Sequence, residues 1–165
     1  MQRNFGRGPI QPTQDVAQIC LNGHLINRQV QANPQKNEKF CSRCGAETIT
    51  ACKDCNNHLK GYIKGQVNFL YIPNFCPNCG KPYPWTETNL KVAEEMVEET
   101  DLSPKEQEEL KKTLPDLMQD NPRTELSAIR FKKLLEKCKT LAAPIRKFVV
   151  DIASETAKKL IQDGM

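Results

Sequence analysis

The sequence is poor in the features that mark a membrane protein or a familiar enzyme. No apolar run approaches the roughly 18 residues of a membrane-spanning helix, which excludes an integral segment of that kind. Residues 1–18 lack the apolar core of a secretory leader, so a cytoplasmic chain is expected. The 165 residues hold only two histidines, His24 and His58, too far apart for the helical His-Glu-x-x-His arrangement of a metalloprotease. A glycine-rich phosphate loop and a Gly-x-Ser-x-Gly elbow are missing, and the zinc-deaminase pattern is incomplete. With no nucleophile, base and orienting group in a recognisable set, an enzyme is not expected. Glycine is absent between Trp85 and Gly164, a hint that the second half is helical.

Cysteine is what the chain does have. Seven of its eight cysteines fall between Cys20 and Cys79, and Cys138 stands alone. Thiols in a reducing compartment stay free, so clustered cysteines there read as metal ligands rather than disulfides. Four pairs follow in order: Cys20 with His24, Cys41 with Cys44, Cys52 with Cys55, and Cys76 with Cys79. Each pair sits in a tight turn, which lets two donors from one short segment reach one ion. Gly23, Gly45, Asn56 and Gly80 stand where such turns need a positive φ. Two closed tetrahedral sites take eight donors, so this set fits two structural Zn²⁺ ions. Iron in a four-thiolate site is the other metal such donors suit. His24 completes the set, whereas His58 would give the third pair a surplus ligand. Cys-x-x-Cys can also be a redox motif, but the βαβ context of such enzymes is missing. Cys138 reads as a thiol in a helix core.

Spacing leaves the pairing of the pairs open. Sequential sites would join the first two pairs and the last two; interleaved sites would join first to third and second to fourth; a nested arrangement would make Cys41 to Cys55 one site. The short gap of seven residues between Cys44 and Cys52 favours the interleaved scheme, with a turn linking two sites, over the other two.

Composition divides the chain into a tail at 1–15, a ribbon-like domain at 16–85 and a helical domain at 86–165. The tail mixes Gly, Pro, Gln and Arg without apolar periodicity, as in flexible segments. Short extended runs lie at Val16–Cys20, Thr48–Ala51, Gly61–Lys64 and Val67–Ile72. Helical spacing picks out Leu90, Ala93, Met96 and Val97 in a first helix. Ser103, Pro104 and Glu106 form a capping box at the start of a second, which Pro115 should end or kink. Leu126, Ile129, Leu134 and Cys138 mark a third, and the stripe from Ile145 to Ile161 a fourth. The expected class is α+β: a two-zinc module of short β-hairpins, then an all-helical domain of about four helices.

Particular stretches carry a family resemblance. They are Ile19 to His24, Phe40 to Ile49 with its Cys41-Ser42-Arg43-Cys44-Gly45 turn, Phe75 to Glu87 with Cys76-Pro77-Asn78-Cys79-Gly80, and Asp151 to Lys159 in the last helix. Over about residues 16–163 the chain resembles a domain-of-unknown-function family of bacteria and their phages. The resemblance implies a zinc-ribbon-like part followed by helices and implies no activity. Lys53-Asp54 replaces the Pro-Asn expected inside the third pair, which bears on turn rigidity more than on ligation.

Charge constrains the partner. Residues 1–85 carry a net +6 and residues 86–165 a net −2, together the chain's +4. Two Zn²⁺ on seven thiolates lower the first figure to about +3. Lys60, Lys64, Arg43 and Lys53 interleave with Tyr62, Phe69 and Tyr71, as in a surface that meets phosphates and stacks on bases; the same aromatics can equally form a small core. The expectation is a zinc-stabilised recognition or adaptor protein that binds a protein partner, with nucleic acid as the alternative and a homo-oligomer through the C-terminal helices as a further option. Residues 130–147 are basic and amphipathic. The acidic stretch 94–109 offers them an intramolecular counter-surface, a simpler account than a membrane.

Overall fold

The computed structural model describes residues 14–63 and 72–162, arranged as two compact units that divide between Cys79 and Gly80. Residues 1–13, and with them most of the expected tail, lie outside the described residues, as do Val67–Tyr71, Lys64 and Phe69.

Among the described residues the N-terminal unit has five short strands: β1 (Gln14–Val16), β2 (Gln18–Cys20), β3 (Leu25–Asn27), β4 (Thr48–Ile49) and β5 (Lys60–Ile63). Gln14 and Asp15, at the end of the stretch read as tail, belong to β1. Two antiparallel sheets result, β1 with β5 and β3-β2-β4 in that order. Residues 16–20 are buried without a break, because β2 lies between two neighbours and Ala17 joins the sheets by donating to the Leu59 carbonyl at 2.9 Å. Gln18 is buried but satisfied: its amide donates to the Glu38 carbonyl and to Thr48 Oγ1, both at 2.9 Å, and accepts from the Glu38 backbone at 3.0 Å. Asn27 likewise donates to the Asn33 carbonyl at 2.9 Å and to Asn37 Oδ1 at 2.7 Å. These two side chains tie the 33–38 loop to the sheet and so fix the chain that leads into Cys41. At Gly61 a Cβ would collide with backbone alone, at the Arg28 carbonyl oxygen, at Val16 C (2.6 Å) and at the Asp15 oxygen (2.8 Å); only glycine lets β5 approach this closely.

The C-terminal unit holds five helices of eight residues or more and one single turn, against the four expected: α1 (Pro84–Glu98), α2 (Pro104–Lys111), α3 (Leu114–Leu117), α4 (Thr124–Lys137), α5 (Ala142–Ile152) and α6 (Glu155–Gln162). Its core contains Val97, Leu110, Leu114, Phe131, Leu135, Ile145, Val149 and Ile161, none more than 2% exposed. Packing runs from α4 onto α6 and from α5 onto α1. The capping box at Ser103 forms as expected, with Glu106 reaching back to the Ser103 backbone. Three expectations need correction. Pro115 does not end a helix: α2 stops at Lys111, and Pro115 lies in the first turn of α3, where its missing N–H costs nothing. The fourth stripe is two helices, because Ala153 is extended and Ser154 accepts from the Ala157 backbone as a new cap. Leu126 and Ile129 are not core residues; they are 47% and 45% exposed, and α4 buries Ala128, Phe131, Leu134 and Leu135 instead.

The acidic counter-surface is present in part. Lys137 pairs with Glu106 at 2.9 Å, while the Asp101 carboxylate accepts from the backbones of Lys139 and Thr140 at 3.0 and 3.2 Å. Cys138 ends α4, buried at 8% exposure, and burial pushes its thiol above the ordinary range. No described helix is long and apolar enough to cross a membrane.

Candidate metal centres

The cysteine turns owe their shape to four residues with positive φ: Gly23 (83°), Gly45 (72°), Asn56 (57°) and Gly80 (73°). These are the positions expected from the sequence, and backbone hydrogen bonds close the turns at Gly23, Gly45 and Asn56. Cys20 donates to the His24 carbonyl at 3.0 Å, and Gly45 donates to the Cys41 carbonyl at 2.7 Å. Asn56 donates to the Cys52 carbonyl at 2.9 Å. Isolated bridges between Phe40 and Glu47 and between Ala51 and His58 clamp the second and third turns at their bases.

The turns assemble two clusters, Cys20, His24, Cys41 and Cys44 in one and Cys52, Cys55, Cys76 and Cys79 in the other, with all donor atoms of a cluster within 4.8 Å of one another. The preferred interleaved pairing is therefore overturned in favour of the sequential one. Strand pairing is the cause. Cys20 lies opposite Thr48 across β2 and β4, which places the first turn beside the chain leaving the second. The gap between Cys44 and Cys52 contains the extended strand β4 rather than a turn; its seven residues can span about 23 Å, enough to leave one cluster and enter the next. His58 is exposed and belongs to neither cluster.

Donor spacing provides a test of fit. A tetrahedral ion with Zn–S near 2.3 Å and Zn–N near 2.0–2.1 Å requires S···S of about 3.8 Å and S···N of about 3.6 Å. Cys20 and Cys44 sulfurs are 3.8 Å apart, Cys52 and Cys79 3.8 Å, and Cys55 and Cys76 3.6 Å. His24 Nδ1 lies 3.6 Å from Cys41 Sγ, so Nδ1 is the nitrogen turned to the cluster. None of these sulfurs is at disulfide distance. Both clusters are also buried alike: the first residue of the set and the first cysteine of the second pair are buried, and the last cysteine is exposed.

The surroundings favour thiolates. The His24 backbone donates to Cys20 Sγ at 3.2 Å and the Asn22 amide to Cys44 Sγ at 3.5 Å. Led by the Ala46 backbone N–H, such donors bring the Cys44 thiol down to about 6. Burial pushes Cys76 up, but the N–H groups of Cys79 and Asn78 outweigh it and set the thiol at about 6. The Asn78 side chain is the main cause that lowers Cys55. Cys20 goes the other way, raised by burial. Asn22 and Asn78 were not singled out from the sequence. Each sits inside one turn and serves a sulfur of the other pair in its own cluster, an outer-shell role that orients a ligand and steadies its charge. Their signal was an asparagine at the third position of both Cys20-Leu21-Asn22 and Cys76-Pro77-Asn78.

Each cluster is thus compatible with a metal ion held by four donors. Three thiolates and an imidazole, or four thiolates, fill a tetrahedron and leave no position for substrate or water.

No curated protein and no solved structure matches the chain. The model of a bacterial family described as "uncharacterized protein conserved in bacteria" (DUF2321) matches residues 13–161. That span takes in both metal clusters and nearly all of the helical unit, and the chain belongs to this family.

Proposed function

We propose that the chain is a non-enzymatic recognition or adaptor protein whose N-terminal unit is held by two structural Zn²⁺ ions and binds a protein partner. Cys20, His24, Cys41 and Cys44 hold one ion, and Cys52, Cys55, Cys76 and Cys79 hold the other. The observation that carries the reading is the closure of both donor sets, which leaves metal a structural task and not a catalytic one. Cysteines used as metal ligands rather than as disulfides fit a reducing, cytoplasmic setting.

The contact surface is centred on Phe40, 55% exposed at the edge of the second turn. Lys39 Nζ lies 5.5 Å from its ring, and Arg43 is exposed in the adjoining turn. An exposed aromatic beside cations fits both protein and nucleic acid. Glu47 and Glu38 support the protein reading: Glu47 lies opposite Phe40 across the bridge, and Glu38 accepts from the Ser42 backbone at 3.1 Å in the same turn. With two carboxylates balancing two cations, the patch lacks the excess positive charge that a phosphate backbone requires, whereas an aromatic anchor with mixed charge around it matches a protein interface.

Native mass spectrometry of the purified chain, followed by nuclease-treated affinity capture from a bacterial lysate with wild type and Phe40→Ala in parallel, tests the reading. The expected result is two zinc ions per chain and a protein retained by wild type and lost with Phe40→Ala. A red, iron-bound protein would correct the metal. A chain without metal, or capture that disappears on nuclease treatment, would overturn the reading.

A further inference from the structure

The helical unit carries a groove bounded by α2, α3 and α4, with a volume of about 680 Å³. We propose that this groove docks an acidic, amphipathic segment of a partner protein. The inference rests on the reading that the chain acts through a protein partner, and it adds a contact surface in a different unit from Phe40.

The floor is Thr113, Ser127 and Leu134, all buried. Both hydroxyl protons are already used: Thr113 donates to the Leu110 carbonyl at 2.6 Å and Ser127 to the Asp116 carboxylate at 2.8 Å. The rim carries Lys112, Arg123, Arg130 and Lys133 against Glu109 and Asp116, a net +2. Arg123 is taken by Asp116 at 3.4 Å and Lys112 by Glu108 at 3.5 Å. Arg130 and Lys133, both exposed, have no ion-pair partner among the described residues. With those pairs set aside, the groove keeps Arg130 and Lys133 against the single unpaired carboxylate of Glu109, a net +1 above a floor whose hydroxyl protons are spent.

A second, independent observation lies on the same helix. Leu126, Ile129, Arg130 and Lys133 follow the i, i+3, i+4, i+7 spacing and so share one face of α4. That face is the exposed one: α4 turns Ala128, Phe131 and Leu135 to the core and leaves two large aliphatic side chains roughly half exposed. Apolar surface next to unpaired cations is complementary to a helix that places leucine-like anchors on Leu126, Ile129 and Leu134 and carboxylates on Arg130 and Lys133. Nucleic acid fits less well. No aromatic residue lines the groove for stacking, two carboxylates do line it, and the aliphatic pair has nothing to offer a phosphodiester. The residues outside the described ones do not offer such an acidic segment, since Asp163 is the single acidic residue among them.

The test uses the full zinc-loaded chain and a synthetic, end-capped peptide of about 18 residues, about 27 Å as a helix. The peptide is built of Glu, Leu and Ala with leucine on one face, and its control carries Lys for Glu. Fluorescence anisotropy gives affinity, and amide chemical shifts locate the site. The Glu peptide should bind, with shifts at Thr113, Ser127, Arg130 and Leu134, and the Lys peptide should not. Arg130→Glu with Lys133→Glu should weaken binding about tenfold or more, and Leu126→Ser with Ile129→Ser should weaken it as well. All four side chains are exposed, so thermal melts of both variants should match wild type. Phe40→Ala should bind the Glu peptide as wild type does, which separates a failure of this groove from a failure of the zinc-unit surface. The proposal is overturned by absence of binding at low salt, or by equal binding of the Lys peptide or of the charge-reversed variant. It is also overturned by duplex DNA that competes at this face without regard to Leu126 and Ile129, or by self-association that the charge reversal abolishes.

Discussion

Metal removal should unfold the N-terminal unit and leave the helices standing. Apart from cysteines, the aliphatic side chains buried there among the described residues are Val16, Ala17, Ile19 and Leu59. Full burial of a Val, Ile or Leu is worth about 1.5–3 kcal/mol, so the three larger ones together contribute roughly 5–9 kcal/mol. A structural zinc ion bound at either cluster would contribute on the order of 10–16 kcal/mol of apparent binding energy, more than those described side chains together. The helical unit is the opposite case, with 16 residues in its buried core cluster and no part in either donor set. The assay is a chelator titration that measures released zinc by a colorimetric indicator while amide spectra and far-ultraviolet circular dichroism are recorded. Signals from Ala17, Ile19 and Leu59 should collapse to random-coil positions as zinc is lost, and helical ellipticity should persist. Dispersed N-terminal signals at zero bound metal would refute the reasoning.

Further outcomes follow from single side chains. Glu106 accepts from Ser103 Oγ at 2.7 Å and from Lys137 at 2.9 Å, and these contacts hold its carboxyl at about 2, below the ordinary 4.5. Its ionised form stabilises the fold, so this contribution is complete above pH 4.5 and fades as the pH falls toward 2; Glu106→Gln should flatten that part of a melting-temperature profile. Gly61→Ala should push β5 away from β1 and Arg28, seen as lost amide protection at Tyr62, which donates to the Arg28 carbonyl at 2.8 Å, because the new methyl meets only backbone. Asn78→Ala should lower metal affinity about 10–100-fold at the second cluster and leave the first unchanged, measured by competition with a chromophoric chelator.

The donors were legible because ligand chemistry is local. A cysteine pair, a short turn and a residue that tolerates positive φ all fall within five or six positions, and Gly45, Asn56 and Gly80 show that the turn chemistry is read directly from the chain. The pairing of turns was not local. It is set by hydrogen bonds between β2 and β4, strands of three and two residues whose partners no periodicity reveals. The helical half shows the same division. Ser103, Pro104 and Glu106 announce α2 within four residues, whereas Leu126 and Ile129 match helical spacing equally well whether they face a core or solvent. The buried face of α4, which carries Ala128 and Phe131, is set by the packing of this helix on α6 and α3, a tertiary fact. Ser154 was hidden for another reason: the apolar stripe continues through it at helical spacing, so the cap that divides α5 from α6 interrupts no pattern.

The central claim is that the eight donors form two independent, sequentially paired metal sites. Counting zinc by native mass spectrometry in two double variants tests it most directly. Cys20→Ser with Cys41→Ser removes two donors from one cluster, so one ion should remain, whereas Cys41→Ser with Cys52→Ser damages both clusters and should leave none. Loss of both ions from the first variant would contradict the account, as would an ion retained by the second.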